Sequence, residues 1–323
     1  MLEQINPLWG VYLKNQQLNK PLVMATLVNS IGSSYKKAGA MMLIETDRST
    51  HGLISGGCLE ADVAEHAMTV FKTGQAVLLT YDLSDVSIFG LGAGCDGSIE
   101  VVLQMIQGNY LPFSALNPLP DKAQTTTLMI SSIDNKTTDI GDFFIQQGEQ
   151  ITESVSGFYI ANKLHKNCMS FTPPPRIAVC GTGIDVLPLL EILNLLQWHV
   201  FIIDHNTHNK SNHQLNPVIK IKLNELPAGL SKHQFDAVII MNHNLERDAA
   251  YLKYFAHTNV SWLGLLGPIK RRDKILKNIG LTADQICDKL HAPIGLDLGG
   301  HMPENIAVSI AAQLQQFFYK HEN

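Results

Sequence analysis

The residue best placed to do chemistry in this sequence is Cys58. It stands in HGLISGGCLEADV, residues 51–63, between Gly56-Gly57 and a stretch whose apolar residues Leu59, Val63, Ala67, Val70 and Phe71 recur at three- and four-residue spacing. That spacing predicts an amphipathic helix with Ser55 as its N-cap. The two glycines let the backbone adopt positive φ and let a ligand approach closely, while the first helical turn offers N–H groups and a partial positive charge. A thiol in that field is held toward its thiolate. It could ligate a soft metal, carry a transferable sulfur or act as a nucleophile. The plain alternative is a small apolar filler, because free cysteine is among the most buried residue types.

A second cysteine has similar surroundings. In FGLGAGCDGSIEVVLQMI, Gly90, Gly92, Gly94 and Gly97 surround Cys95 and Asp96 and lead into a β-rich run, Ile99 to Met105. Two cysteines in two glycine-rich turns point to one shared pocket, or else to two tight connections with cysteine fillers. Lys36 and Lys37 fall in a turn between two strands, where they read equally as an anion-binding loop or as a solvated hairpin tip.

The second half carries a different pattern. RIAVCGTGIDVLPLLEILNLLQWHVFIIDH reads as strand, glycine turn, amphipathic helix and strand. Gly181 makes the turn, Gly183 permits a phosphate to approach a helix N-terminus, and Asp204 ends the second strand where a carboxylate can accept hydrogen bonds from ribose hydroxyls. Val186 stands where the third glycine of a dinucleotide fingerprint would be, so nucleotide binding and other uses of the fold both stay open. Further on, Asn242 and His243 are expected at the carboxyl end of a strand, with Gly264 and Gly267 at the end of the next. His243 could be an acid, a base or a hydrogen-bond donor, or simply a loop histidine. Lys270, Arg271 and Arg272 would suit a phosphate or form a solvated helix face. Asp297 lies between two glycine-bearing loops near the end of the chain.

These residues need two scaffolds. Before the prolines 173–175 the pattern gives a helix at Trp9–Asn19, strands at Leu22–Val28 and Ala76–Tyr81, a helix after Cys58 stopped by Gly74, and strand-like runs TTTLMISSI, DFFI and VSGFYI. Consecutive prolines are stiff and extended and join neither helix nor central strand, so the domains are cut into 1–172 and 173–323. After the cut, strands and helices alternate, including a strand Phe235–Asn242, a helix Glu246–His257 and a strand Val260–Leu266. The final helix starts at Pro303 with Ile306, Ile310, Leu314 and Phe317 on one face. The fold class is therefore α/β: an N-terminal α+β domain, then a Rossmann-like doubly wound parallel sheet.

Composition sets the limits. The 323 residues, 45% hydrophobic, can bury a sizeable core, and 24 basic against 29 acidic residues with no long run of either sign leave no electrostatic footprint for nucleic acid. The five cysteines are scattered without a C-x-x-C, which argues against a disulfide framework or a structural zinc site. The opening MLEQINPLWG has no basic-then-apolar leader and no apolar run is long enough to span a bilayer, so a cytoplasmic protein is expected.

Seven segments, in order, resemble the XdhC/CoxI family of accessory factors for molybdenum hydroxylases: GSSYKKAGAMMLI, GLISGGCLEADV, GLGAGCDGSIEVVL, CGTGIDVLPLL, VIIMNHNLERDAAYL, WLGLLGPIKRR and HAPIGLDLGGHMPENIAVSIAA. The resemblance implies a protein that binds the molybdopterin form of the molybdenum cofactor, supports its sulfuration and delivers it to an apoenzyme of the xanthine dehydrogenase type. A cysteine desulfurase and further copies of the chain are the other implied partners. Carried onto this sequence, Cys58 would be the metal ligand. Ser55, Gly56, Gly57, Cys58, Gly94 and Cys95 would hold the cofactor, Gly181, Gly183 and Asp204 a nucleotide, and Cys58 and His243 would be the reactive groups. The competing function is an NAD(P)-dependent oxidoreductase built on Gly181, Gly183, Asp204 and His243.

Overall fold

The computed structural model describes residues 5–32, 35–57, 59–83, 97–116, 125–132, 139–154, 168–205 and 216–320. Its contacts divide the chain into two compact units, Met1–Pro173 and Pro174–Asn323.

In the first unit, β1 (Leu22–Gly32), β2 (Met41–Ile44), β3 (Thr50–Gly52), β4 (Val77–Asp82) and β5 (Gly97–Ile106) form an antiparallel sheet in the order β3-β2-β1-β5-β4. Residues 22–28 of β1 are all buried, because this central strand is covered on both faces and its alternating side chains enter two different cores. Val23, Ala25 and Leu27 pack under helix α2 (Glu60–Thr73) with Val63, Ala67 and Val70. Leu22, Met24 and Val28 pack with helix α1 (Trp9–Gln17) and with Leu128, Ile145 and Phe171 of a second sheet. That sheet is antiparallel, with β6 (Thr126–Ile130), β7 (Phe143–Gln147), β8 (Gln150–Glu153) and β9 (Cys168–Phe171) in the order β8-β7-β6-β9. The expected buried strand at Ala76–Tyr81 is β4, an edge strand with Val77, Leu78 and Leu79 half-buried, Tyr81 buried, and Thr80 and Asp82 exposed. The run VSGFYI lies outside the described residues.

Helix α2 follows its expected pattern. Gly74 ends it at φ +72°, a left-handed C-cap that glycine adopts without a Cβ penalty. Its start does not. The helix begins at Glu60 with Leu59 as N-cap, so Ser55 is not the cap; its hydroxyl serves the turn that precedes the helix.

The second unit is a six-stranded parallel sheet of β10 (Arg176–Cys180), β11 (His199–Asp204), β12 (Val218–Lys220), β13 (Ala237–Ile240), β14 (Trp262–Leu265) and β15 (Leu290–His291), in the order β12-β11-β10-β13-β14-β15. Numbered from β10, this is 3-2-1-4-5-6, the doubly wound Rossmann order. β10, β13 and β14 are buried throughout, as strands covered on both faces must be. Helices α3 (Val186–Leu195) and α7 (Pro303–Tyr319) cover one face. Helices α4 (Leu226–Leu230), α5 (Leu245–Ala256) and α6 (Ile269–Ile279) cover the other. Pro303 starts α7 as expected, but the buried stripe is Ala307, Ile310, Ala311 and Leu314, with Ile306 and Phe317 at its margins. Among the described residues no helix is long and apolar enough to cross a membrane.

Candidate functional site

The turn that carries Gly56 and Gly57 is pinned at both ends by apolar residues, since Ile54 and Leu59 are fully buried in the core beneath α2. Between them the backbone is organised by Glu60, a residue that the sequence pattern does not single out. Its Oε1 accepts the N–H groups of Ile54 at 3.2 Å and Ser55 at 2.8 Å. Its Oε2 accepts the Ser55 hydroxyl at 2.7 Å and the Leu59 N–H at 3.2 Å. The Ser55 Oγ in turn accepts the N–H groups of Gly57 at 3.1 Å and Leu59 at 3.3 Å. Burial opposes the charge on Glu60 and is the largest single influence, but the bonds from Ser55, Glu60's own N–H and Ile54 outweigh it, so the carboxyl is held below its ordinary range. The outcome is a buried, ionised clamp around a short loop.

Gly57 has φ +106° and open space where a Cβ would project, so this stretch of backbone is accessible to a ligand. Tyr35, 71% exposed, lies beside it, with its ring 3.9 Å from the Cβ position of Gly56. The Lys36 ammonium sits 5.6 Å from that ring's centroid, which gives one of the two turn lysines a local role. Gly32 at the end of β1 pairs with Gly97 at the start of β5. Three residues of chain reach no more than about 11 Å from Gly32 to Tyr35, so Gly97 lies toward the same end of the sheet as the turn 55–57. Cys58, Gly94 and Cys95 themselves lie outside the described residues.

The second unit places its expected residues along the carboxyl edge of the parallel sheet. Gly181 follows β10 at φ +143°, and a Cβ there would come within 2.6 Å of the Met241 carbonyl oxygen, so only glycine lets the two loops interlock. Asp204 ends β11 with its side chain 1% exposed and 3.7 Å from His205. His243 follows β13 at φ +55°, a left-handed conformation for a residue with a side chain, and its Nε2 lies 2.6 Å from Oδ2 of Asp185. Gly183 and His243 thus meet at Asp185, which the fingerprint glycines do not single out.

A second carboxylate ties the loop after β13 to helix α6. Asp248, buried at 1% exposure, accepts the Asn242 N–H and side-chain amide at 3.1 Å each through Oδ1, and an Arg271 N–H at 2.6 Å through Oδ2. Arg271 therefore points inward rather than toward a phosphate or bulk solvent, and Arg272 donates to the Ala292 carbonyl oxygen at 3.1 Å. Burial, with Asp248 nearby, pushes the Cys180 thiol well up, which makes that cysteine an inert filler. The glycine loop also departs from a dinucleotide cradle. The N–H groups of Val186 and Leu187 are committed to the carbonyls of Gly183 and Ile184, and Pro188 has none to offer. Among the described residues no cluster of three metal-ligating side chains occurs.

Comparison with known proteins covers both units. The profile described as the XdhC and CoxI family matches residues 16–82, and that of the XdhC Rossmann domain matches residues 177–314. The chain is 28% identical over 310 residues to a probable xanthine dehydrogenase subunit of Bacillus subtilis (strain 168), covering 91% of this chain and 92% of that one. It is 21% identical over 305 residues to the molybdenum cofactor insertion chaperone PaoD of Escherichia coli (strain K12), covering 91% and 83%. Its fold resembles the crystal structure of a xanthine dehydrogenase from Bacillus halodurans, with a TM-score of 0.79, 26% identity and 97% and 96% of the two chains covered. The glycine turn clamped by Glu60 falls within the first matched region and the crevice at Gly181 and His243 within the second; the chain belongs to the XdhC and CoxI family.

Proposed function

We propose that this protein is an accessory factor in the maturation of a molybdenum hydroxylase of the xanthine dehydrogenase type, binding the molybdenum cofactor as cargo, supporting its sulfuration and passing it to the apoenzyme. The observation that carries this reading is the turn 55–57: its backbone is held by a buried carboxylate, open at Gly57, and joined directly to Cys58. Such a loop holds its backbone in place before a ligand arrives, so binding carries little ordering cost. Tyr35 at the rim adds a flat apolar surface suited to a fused heterocycle. In this reading Cys58 holds molybdenum or the sulfur to be transferred, a cysteine desulfurase supplies that sulfur, Cys95 is the second candidate thiol, and the chain works as a homo-oligomer.

The second unit contributes a phosphate or nucleotide contact at its carboxyl edge, where the strand order reverses between β10 and β13. An NAD(P)-dependent oxidoreductase is the weaker reading, because Val186 stands where the third glycine of a dinucleotide fingerprint would be.

The deciding experiment is anaerobic purification from a host that makes the cofactor, followed by assay of bound molybdenum and pterin for the wild type and Cys58→Ala. Near-stoichiometric cofactor in the wild type and its loss in the variant are expected. Wild-type protein that carries neither molybdenum nor pterin would sink the proposal.

A further inference from the structure

The pair Asp185–His243 occupies an unusual place. It joins the loop after β10 to the loop after β13, bridging the crevice between the two strands at which the sheet order reverses. Asp185 is the N-cap residue of α3, yet its side chain caps none of that helix's N–H groups. The carboxylate instead lies against Gly183, so closely that a Cβ on Gly183 would collide with Oδ1, and it reaches across to Nε2 of His243. His243 meets it from a left-handed backbone conformation. The contact therefore relies on a glycine at 183 to leave room and on an unfavourable φ at 243 to complete it, even though His243 is 60% exposed and a pair so open to solvent stabilises little.

We propose that Asp185 is an internal anion that occupies the crevice in place of a ligand phosphate, and that a phosphate-bearing ligand of the nucleotide class displaces it and takes over the bond from His243. This rests on the reading that the carboxyl edge of the second unit holds a phosphate. Two anions cannot share the mouth of one short loop without repulsion, so carboxylate and phosphate exclude one another. Asp185 sits on the last non-helical residue before α3, where rotation of its side chain suffices to vacate the crevice. Because the pair is solvent-exposed, the displacement is cheap enough for a ligand of ordinary affinity to drive it. The crevice is thus closed to weakly held anions such as free inorganic phosphate. It opens to ligands that bring further contacts.

The test is isothermal titration of the full-length protein with ADP, for wild type, Asp185→Ala, His243→Gln and the double variant, with thermal melts to verify folding. Asp185→Ala is expected to bind ADP about fivefold more tightly than wild type, the size of a lost surface ion pair. The double variant is expected to lose that gain, because His243 receives the phosphate. Equal affinities for wild type and Asp185→Ala would overturn the latch while leaving a phosphate site in place. A double variant that keeps the gain would overturn the transfer to His243. Failure of ADP to bind any of the four proteins would remove the phosphate reading and the latch together.

Discussion

Each unit presents a glycine turn that leads into a helix, and each sets a carboxylate at that junction. Glu60 and Asp185 nevertheless differ in kind. Glu60 is 7% exposed and receives hydrogen bonds from Ile54, Ser55 and Leu59 of its own turn and from its own N–H. Asp185 is 22% exposed and bonds to one histidine on a different loop. Burial and the number of local donors make the first a scaffold, and their lack makes the second displaceable. The scaffold role in the second unit passes to Asp248, which ties Asn242 to Arg271 from below. One carboxylate organises the first turn, while two divide structure and gating in the second.

Removing partners breaks this comparison most directly. Arg271→Ala leaves Asp248 buried and unpaired, and a loss of about 3–5 kcal/mol is expected. Glu60→Ala strands the N–H groups of Ile54 and Ser55, leaves that of Leu59 only its longer bond to the Ser55 hydroxyl, and should cost about 3 kcal/mol. Asp185→Ala should lose no more than about 1 kcal/mol, the worth of one solvent-accessible ion pair. Urea denaturation midpoints check all three. An Asp185→Ala loss as large as that of Glu60→Ala would erase the distinction between scaffold and latch.

Glycine substitutions sharpen it at a smaller scale. Gly181→Ala drives a methyl into the Met241 carbonyl and forces apart the loops that carry Asp185 and His243, with an expected loss of about 2–3 kcal/mol. Gly57→Ala meets open space and carries only the strain of its positive φ, about 1 kcal/mol. Its effect should fall instead on cofactor retention, because the added methyl projects into the volume a ligand would use. Comparing melts with bound molybdenum for the two variants separates these outcomes.

The scaffolds are legible in the sequence and the carboxylates are not. The α+β character of the first part, the parallel sheet of the second, Gly74 as a helix stop and Pro303 as a helix start all follow from periodicity and from residues with restricted backbones. The same periodicity contains the scaffold residues that motifs pass over. Glu60 stands on the buried stripe with Val63, Ala64 and Ala67, and Asp248 on that of Tyr251, Leu252 and Phe255. An acidic residue in register with an apolar stripe must be satisfied by its neighbours, and that register is the signal that could find them. Asp185 offers no such cue, since its partner lies 58 residues away and only the folding of β10 beside β13 brings them together. Ser55 misleads for a related reason: a serine before a helix looks like an N-cap, but Glu60 at the first helical turn accepts its hydroxyl, and the helix starts at Glu60.

The smallest expected effect is a difference in acid sensitivity. Burial lowers the pKa of His199, His205 and His291 in the second unit, with Arg176 acting further on His199 and Arg247 on His205. Their ordinary value is about 6.5, which they regain on unfolding, so the unfolded chain takes up protons first as pH falls below that point. The stability these neutral histidines allow is therefore complete above pH about 6.5 and declines from there toward their lowered pKa values. Glu60 has the same sign in a lower window. Its carboxyl is held below the ordinary value of 4.5, so the clamp contributes fully above that pH and is lost as pH drops through the depressed value. Hydrogen exchange read by mass spectrometry at pH 7.5, 5.5 and 4.5, corrected for intrinsic rates, should show β11 and β15 losing protection by pH 5.5 while residues 54–63 keep theirs. If the glycine turn opened first, Glu60 would not be holding it.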